Sequence, residues 1–138
     1  MKLEGLERLE KISTKRLMVR EILNNVGEGY YYTKYEIDIN FALLVFTLFG
    51  NKEVHEAMNA KDIDWISFVD DNYHLVEELK AGEYKDIIED ILAEVREGAK
   101  KKAKYNRSLA GAIEQIGNFF TEENLKKVKE AIDKVNEE

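Results

Sequence analysis

Two histidines are the side chains best suited to metal binding or acid–base chemistry. On a helix, His74 would share one face with Asp70 and Glu78, at four-residue steps. An imidazole and carboxylates so placed can bind a divalent metal, but a di-iron bundle needs two Glu-x-x-His motifs and further carboxylates. With eleven Asp and Glu residues between positions 61 and 95, such a face is expected by chance. We therefore interpret it as solvated, and we predict no metal and no cofactor.

Motifs for other catalytic chemistry are absent from the sequence. None of the serines lies in a Gly-x-Ser-x-Gly elbow, and the turn at Gly27-Glu28-Gly29 has no Walker lysine–hydroxyl pair after it. Asp62 and Asp64 alternate like calcium ligands, but Ile66 takes the third ligand position and no glycine follows. The chain has no cysteine, so it has neither disulfides nor thiolate metal sites. We predict that the protein is not an enzyme.

Charge is distributed unevenly along the chain. The formal net charge is −7; residues 61–95 contribute three Lys against eleven Asp and Glu, and residues 96–108 contribute six Lys and Arg against one Glu. Residues 61–95, which we name the acidic block, repel phosphate and so disfavour the binding of nucleic acid through that part of the chain. The basic ridge, as we name it, would lie along a helix and comprises Arg96, Lys100, Lys101, Lys104 and Arg107. The basic ridge could contact the phosphates of a nucleic acid. It could equally form a solvated face or pair with the acidic block, and we favour these two interpretations over nucleic-acid binding.

Two sets of residues predict a surface that binds another protein. Exposed tyrosines offer large contact area at low entropic cost, and carboxylates complement a basic partner. Alternatively, two or three of the tyrosines cover the apolar helix predicted at about 35–49 and form hydrogen bonds through their hydroxyls. The alternation over 30–39 fits a strand, whereas the lack of a partner strand favours a turn into a helix, and the sequence leaves this open. The candidate residues are Tyr30, Tyr31, Tyr32, Tyr35, Asp70, Asp71, Glu77 and Glu78.

The elements that must position these residues are helices. The chain has no proline, so nothing interrupts long helices, and apolar residues recur at three- and four-residue steps. We predict an all-α, compact single-domain bundle of about five to seven helices, spanning 1–138, around a buried central helix (about 35–49) and a long helix (about 83–116). Asp70-Asp71-Asn72 is interpreted as the cap of a separate helix. Ser13-Thr14 is either an N-cap between two helical pieces or a tolerated pause in one helix. A final helix over 121–138 is expected to be loosely attached.

The N-terminus and the longest apolar run indicate where the protein resides. Residues 1–11 are charged throughout and lack the apolar stretch of a signal peptide. The apolar run from Phe41 to Phe49 is much shorter than the ~20 residues that span a bilayer. We therefore expect a cytoplasmic protein with no membrane partner.

Three stretches resemble small acidic proteins encoded by phages and prophages of Gram-positive bacteria: residues 17–25, residues 30–35, which we name the tyrosine segment, and residues 39–46. The likeness is one of composition and layout and covers about residues 15–117. It implies a helical, non-enzymatic protein of the host cytoplasm; such proteins include virion-assembly factors and inhibitors of host defence, among them anti-CRISPR proteins. We expect a protein-binding inhibitor of a host defence nuclease. The alternatives are a virion structural or assembly protein and a nucleic-acid-associated regulator that uses the basic ridge.

Overall fold

The computed structural model describes residues 1–26, 34–119 and 122–136, without the side chains of 114–119, 122–125, 128, 135 and 136. Six α-helices and one short 3-10 helix make up this part of the chain, which confirms the predicted all-α bundle. It contains no strand, only a single antiparallel bridge between Leu3 and Gly50. The 3-10 helix is Leu6–Glu10, and the α-helices are α1 Ile12–Asn25, α2 Lys34–Phe49, α3 Lys52–Met58, α4 Trp65–Ala81, α5 Lys85–Phe119 and α6 Glu122–Asn136.

The chain divides into two units, Met1–Ala103 and Lys104–Glu138. The first unit contains the hydrophobic core. In the second unit, every side chain of α6 that the structure describes is exposed. The helices within the described ranges include none that combines the length and apolarity needed to cross a membrane.

The predicted central helix is α2, and it is the most buried helix of the first unit. Its sequence is apolar on almost every side from Phe41 onward, so it packs against α1 on one side and α4 on another. The Phe46 ring meets the Phe68 ring of α4 edge to face, with centroids 5.3 Å apart. The half-buried side chains of Leu43, Leu44 and Leu48 complete its surface. The buried residues of α2 are Ile37, Phe41, Ala42, Val45, Phe46 and Phe49.

The C-terminal end of α2 is partly buried, with Phe49 and Gly50 inside and Thr47 exposed. Its last carbonyl groups have no partners within the helix and need donors from elsewhere. The Nε2 atom of His55, on α3, lies 3.1 Å from the carbonyl oxygens of both Phe46 and Thr47. Because carbonyl oxygens only accept hydrogen bonds, Nε2 is the protonated nitrogen. The Gly50 amide also donates to Phe46, at 3.0 Å. His55 therefore holds the end of a buried helix.

The N-terminal segment supplies the remaining donors at this end. The guanidinium of Arg8 donates to the Leu48 carbonyl and lies 4.9 Å from the centre of the Phe49 ring. The Glu4 amide donates to the Phe49 carbonyl at 2.7 Å. The 3-10 helix and the segment before it are thus attached to the last carbonyl groups of α2, through the Arg8 side chain and the Glu4 amide.

The predicted break at Asp70-Asp71-Asn72 is wrong, because α4 is one continuous helix from Trp65 to Ala81. The cap is Asp64, whose carboxylate accepts from the amides of Ile66 and Ser67 at 3.1 and 3.3 Å and from the Ser67 hydroxyl at 3.0 Å. The Ser67 hydrogen bonds hold the pKa of Asp64 below its ordinary value, helped by the Ile66 amide. Asn72 donates its side-chain amide to the Phe68 carbonyl instead of capping a new helix.

Of the two interpretations of Ser13-Thr14, the cap is wrong, because the pair lies inside one helix. Helix α1 begins at Ile12, with Lys11 at the N-cap position. The 3-10 helix ends at Glu10, so the separation of the two helical pieces comes earlier in the chain than the hydroxyl pair. For the segment 30–39, residues 34–39 are helical, and residues 30–33 lie outside the described residues.

Candidate protein-binding surface

The four carboxylates predicted to bind a partner lie together on α4. Asp70, Asp71, Glu77 and Glu78, which we name the acidic face, are all exposed. At 3.6 residues per turn they fall within an arc of about 120° around the helix axis. The opposite side of α4 is buried against the core. No lysine or arginine in the described ranges forms an ion pair with these four residues, so their charge is available to a partner.

An apolar patch lies at the N-terminal end of the same helix. Trp65 is 44% exposed and Ile66 is 52% exposed. The Trp65 ring also lines a groove of about 340 Å³ beside His55 and Met58 of α3. Tryptophan is enriched among the residues that dominate binding energy in protein interfaces. Trp65 is not among the contact residues predicted from the sequence. Its place next to the capping residue Asp64, where a helix starts, is the signal that it lies at the surface.

The tyrosine cluster is described only in part. Tyr35, in the first turn of α2, is 59% exposed. Tyr30, Tyr31 and Tyr32 lie outside the described residues. The structure therefore places one of the four predicted tyrosines at the surface.

The two histidines lie in different surroundings on α3 and α4. Nowhere in the described part of the chain do three or more His, Asp or Glu side chains form a group that could hold a metal ion. Asp70, His74 and Glu78 instead follow one another along the exposed side of α4. His55 donates to the end of α2. His74 is thus one member of an exposed, mostly acidic row on α4.

The basic ridge is exposed on α5. Arg96, Lys100 and Lys101 are exposed in the first unit, and Lys104 and Arg107 are exposed in the second. Lys102, which is not part of the ridge, has a different environment. Its Nζ donates to the carbonyl oxygens of Leu23 and Val26 at 2.8 and 2.9 Å. It therefore satisfies the C-terminal end of α1, immediately before the tyrosine segment.

We predict that Lys102→Met lowers the free energy of unfolding by about 1.5–3 kcal/mol. Methionine keeps the apolar stem but loses both charge-assisted hydrogen bonds to α1. Urea denaturation followed by tryptophan fluorescence measures the change, because the only tryptophan, Trp65, belongs to the first unit. Lys101→Met is the matched control, since Lys101 is exposed. Equal stability of the two variants would contradict a capping role.

The sequence and the fold were compared with those of known proteins. The sequence matches no protein-family model and no curated protein, and the fold matches no solved structure. The surface features that can indicate a function are therefore the acidic face of α4 and the exposed Trp65 and Ile66 at one end of this helix.

Proposed function

We propose that this protein acts by binding another protein, with the acidic face of α4 and the adjacent Trp65 and Ile66 as the contact surface. The observation that carries the proposal is the exposure of four carboxylates and two large apolar side chains on one helix. The four carboxylates take no part in the core: the core of the first unit is apolar, and no buried polar or charged side chain is found among the described residues. Trp65 touches the core on one side, where its ring meets the Phe68 ring with centroids 6.5 Å apart, and 44% of it remains exposed.

The two parts of the surface have different physical roles. Carboxylates along a helix steer a partner of opposite charge, fix its orientation and penalise partners of like charge. A tryptophan and an isoleucine add the apolar anchor on which affinity usually depends. Together they match a partner with a basic surface beside an apolar recess.

The partner we propose is the basic nucleic-acid channel of a host defence nuclease. Exposed carboxylates on a rigid helix compete with phosphate groups for the same lysine and arginine side chains. Two observations support this chemistry: the acidic residues of 61–95 outnumber its lysines eleven to three, and the acidic face has no ion-pair partner in the described part of the chain. The resemblance to phage-encoded inhibitors points the same way.

The test compares charge reversals at two places on the surface. The first variant carries Asp70→Lys, Asp71→Lys and Glu77→Lys on α4. The matched control reverses three exposed carboxylates on α5, through Glu89→Lys, Asp90→Lys and Glu94→Lys. Both variants change the net charge equally, so a difference between them reports position and not overall charge.

Each tagged protein is used to capture partners from nuclease-treated lysates of infected and uninfected bacterial hosts, with quantitative mass spectrometry. We expect the wild type and the α5 variant to enrich the same nuclease, and the α4 variant to lose it by about tenfold or more, because attraction becomes repulsion. Recovery of capsid or tail proteins instead would favour the virion alternative. Enrichment of nothing, or equal enrichment by all three proteins, would refute binding through the acidic face.

A further inference from the structure

A second recess lies in the first unit, where the N-terminal segment meets the end of α4 and the start of α5. Its volume is about 270 Å³. We name it the leucine groove, because most of its apolar lining comes from leucines. The apolar lining residues are Leu3, Leu6, Leu75, Leu79 and Tyr84. Leu75 and Leu79 are buried beneath it, and the other three are half-buried at its sides.

The rim of the leucine groove is negatively charged. Glu78 and Glu83 line it and are exposed. Burial raises the pKa of the Tyr84 hydroxyl, and the charges of Glu83, Glu10 and Glu7 raise it further. The hydroxyl therefore stays neutral in a field set by several carboxylates. Lys2 is the single basic residue of the lining.

We propose that the leucine groove receives an arginine side chain of the partner protein, with the aliphatic stem on the leucines and the guanidinium at Glu78 and Glu83. The inference deepens the proposed function and rests on it. Glu78 connects the two regions, since it belongs to the acidic face of α4 and also lines the groove. The groove is thus continuous with the surface already assigned to the partner.

The chemistry of the groove selects this side chain over others. An anionic group would be repelled by the rim, and a purely apolar side chain would cover carboxylates without pairing them, which costs free energy. A long basic side chain packs its stem on apolar surface while its charge stays at the rim. Between the two basic residues, arginine binds carboxylates through a planar fork and stacks on aromatic rings such as Tyr84.

The probe is a blocked peptide, N-acetyl-Ala-Arg-Ala-amide, titrated into the ¹⁵N-labelled full chain and followed by NMR. Its control is the same peptide with citrulline, which keeps the shape of arginine but not the charge. We expect the arginine peptide to shift the backbone amides of Leu6, Leu79, Gly82 and Tyr84, with a Kd in the millimolar range that suits so small a ligand. The citrulline peptide should bind at least about tenfold more weakly.

Three variants test the charges at the rim. Glu78→Gln combined with Glu83→Gln should raise the Kd by about tenfold, because two ion pairs are lost. Glu94→Gln combined with Glu97→Gln changes the net charge equally, at exposed positions of α5 outside the acidic face, and should alter the Kd by less than about twofold. Lys2→Gln should lower the Kd by about twofold, since it removes a repulsive cation. A lower Kd for the Lys2 variant and a higher Kd for the glutamate variant would show that charge, and not packing, determines binding of the peptide.

The inference fails if the arginine peptide leaves these amides unshifted, or if the citrulline peptide shifts them equally. It also fails if the amides shift with protein concentration alone, which would assign the leucine groove to a second copy of the chain. Partner capture that depends on Asp70, Asp71 and Glu77, together with no peptide binding, would retain the proposed function and refute only this inference. Peptide binding without any captured partner would show that the leucine groove accepts an arginine side chain, but it would refute the proposed function and with it the assignment of that arginine to a partner protein.

Discussion

Replacement of Phe46 by alanine is expected to lower the free energy of unfolding by about 3–5 kcal/mol. The side chain is completely buried in the middle of the core. Its ring packs edge to face on Phe68, so the substitution removes apolar contact, an aromatic pair and the link between α2 and α4 at once. The cavity left behind is surrounded by helices that pack on α2 from several sides, and they cannot all close on it.

Urea denaturation followed by Trp65 fluorescence measures the loss. Phe46→Leu is the graded comparison and should cost less, since leucine fills much of the same space. Tyr35→Ala removes an aromatic side chain of similar size from the exposed side of the same helix and should leave the stability within about 0.5 kcal/mol. If Phe46→Ala costs no more than Tyr35→Ala, then α2 is not the centre of the core.

The long apolar helices are the part of the fold that local sequence could predict. The apolar run of α2 and the apolar stripe of α5 extend over many turns, so their existence and approximate bounds do not depend on neighbouring elements. The expected break at Asp70-Asp71-Asn72 failed for a physical reason. Residues that favour caps also occur on exposed helix faces, and burial of Val69 and Leu75 on either side of this tripeptide holds α4 in one piece.

The candidate site was predictable to a smaller extent. Exposure of Asp70, Asp71, Glu77 and Glu78 follows from the cost of burying charge, so the acidic face is visible in the sequence. The groove beside Trp65 and the leucine groove are not visible in the sequence, because each is formed by residues from separate segments of the chain. Lys102 is the extreme case: its carbonyl partner on Leu23 lies 79 residues away, and nothing local distinguishes it from the exposed lysines around it.

The second large effect is expected at Gly50, which ends α2. A β-carbon there would lie 2.4 Å from the carbonyl oxygen of Phe46 and 2.6 Å from the Cγ1 atom of Val54. The first contact is with backbone, which cannot move without disturbing the hydrogen bond from the Gly50 amide to the same oxygen. We expect Gly50→Ala to lower the free energy of unfolding by about 3 kcal/mol, at the upper end of the cost of overpacking.

The same substitution at Gly98 and Gly111 of α5 should have different outcomes, and the comparison isolates the steric cause. At Gly111 an added β-carbon meets nothing within 4 Å, so alanine should stabilise the surrounding helix by about 1 kcal/mol. At Gly98 it would lie 2.8 Å from the Cδ1 atom of Leu23, the flexible end of a side chain, and the gain in helix propensity should roughly offset the shift of that leucine. Hydrogen exchange of the amides around each position measures the three changes separately. A stabilising Gly50→Ala, or equal effects at all three glycines, would show that the close contact at the end of α2 does not determine the identity of residue 50.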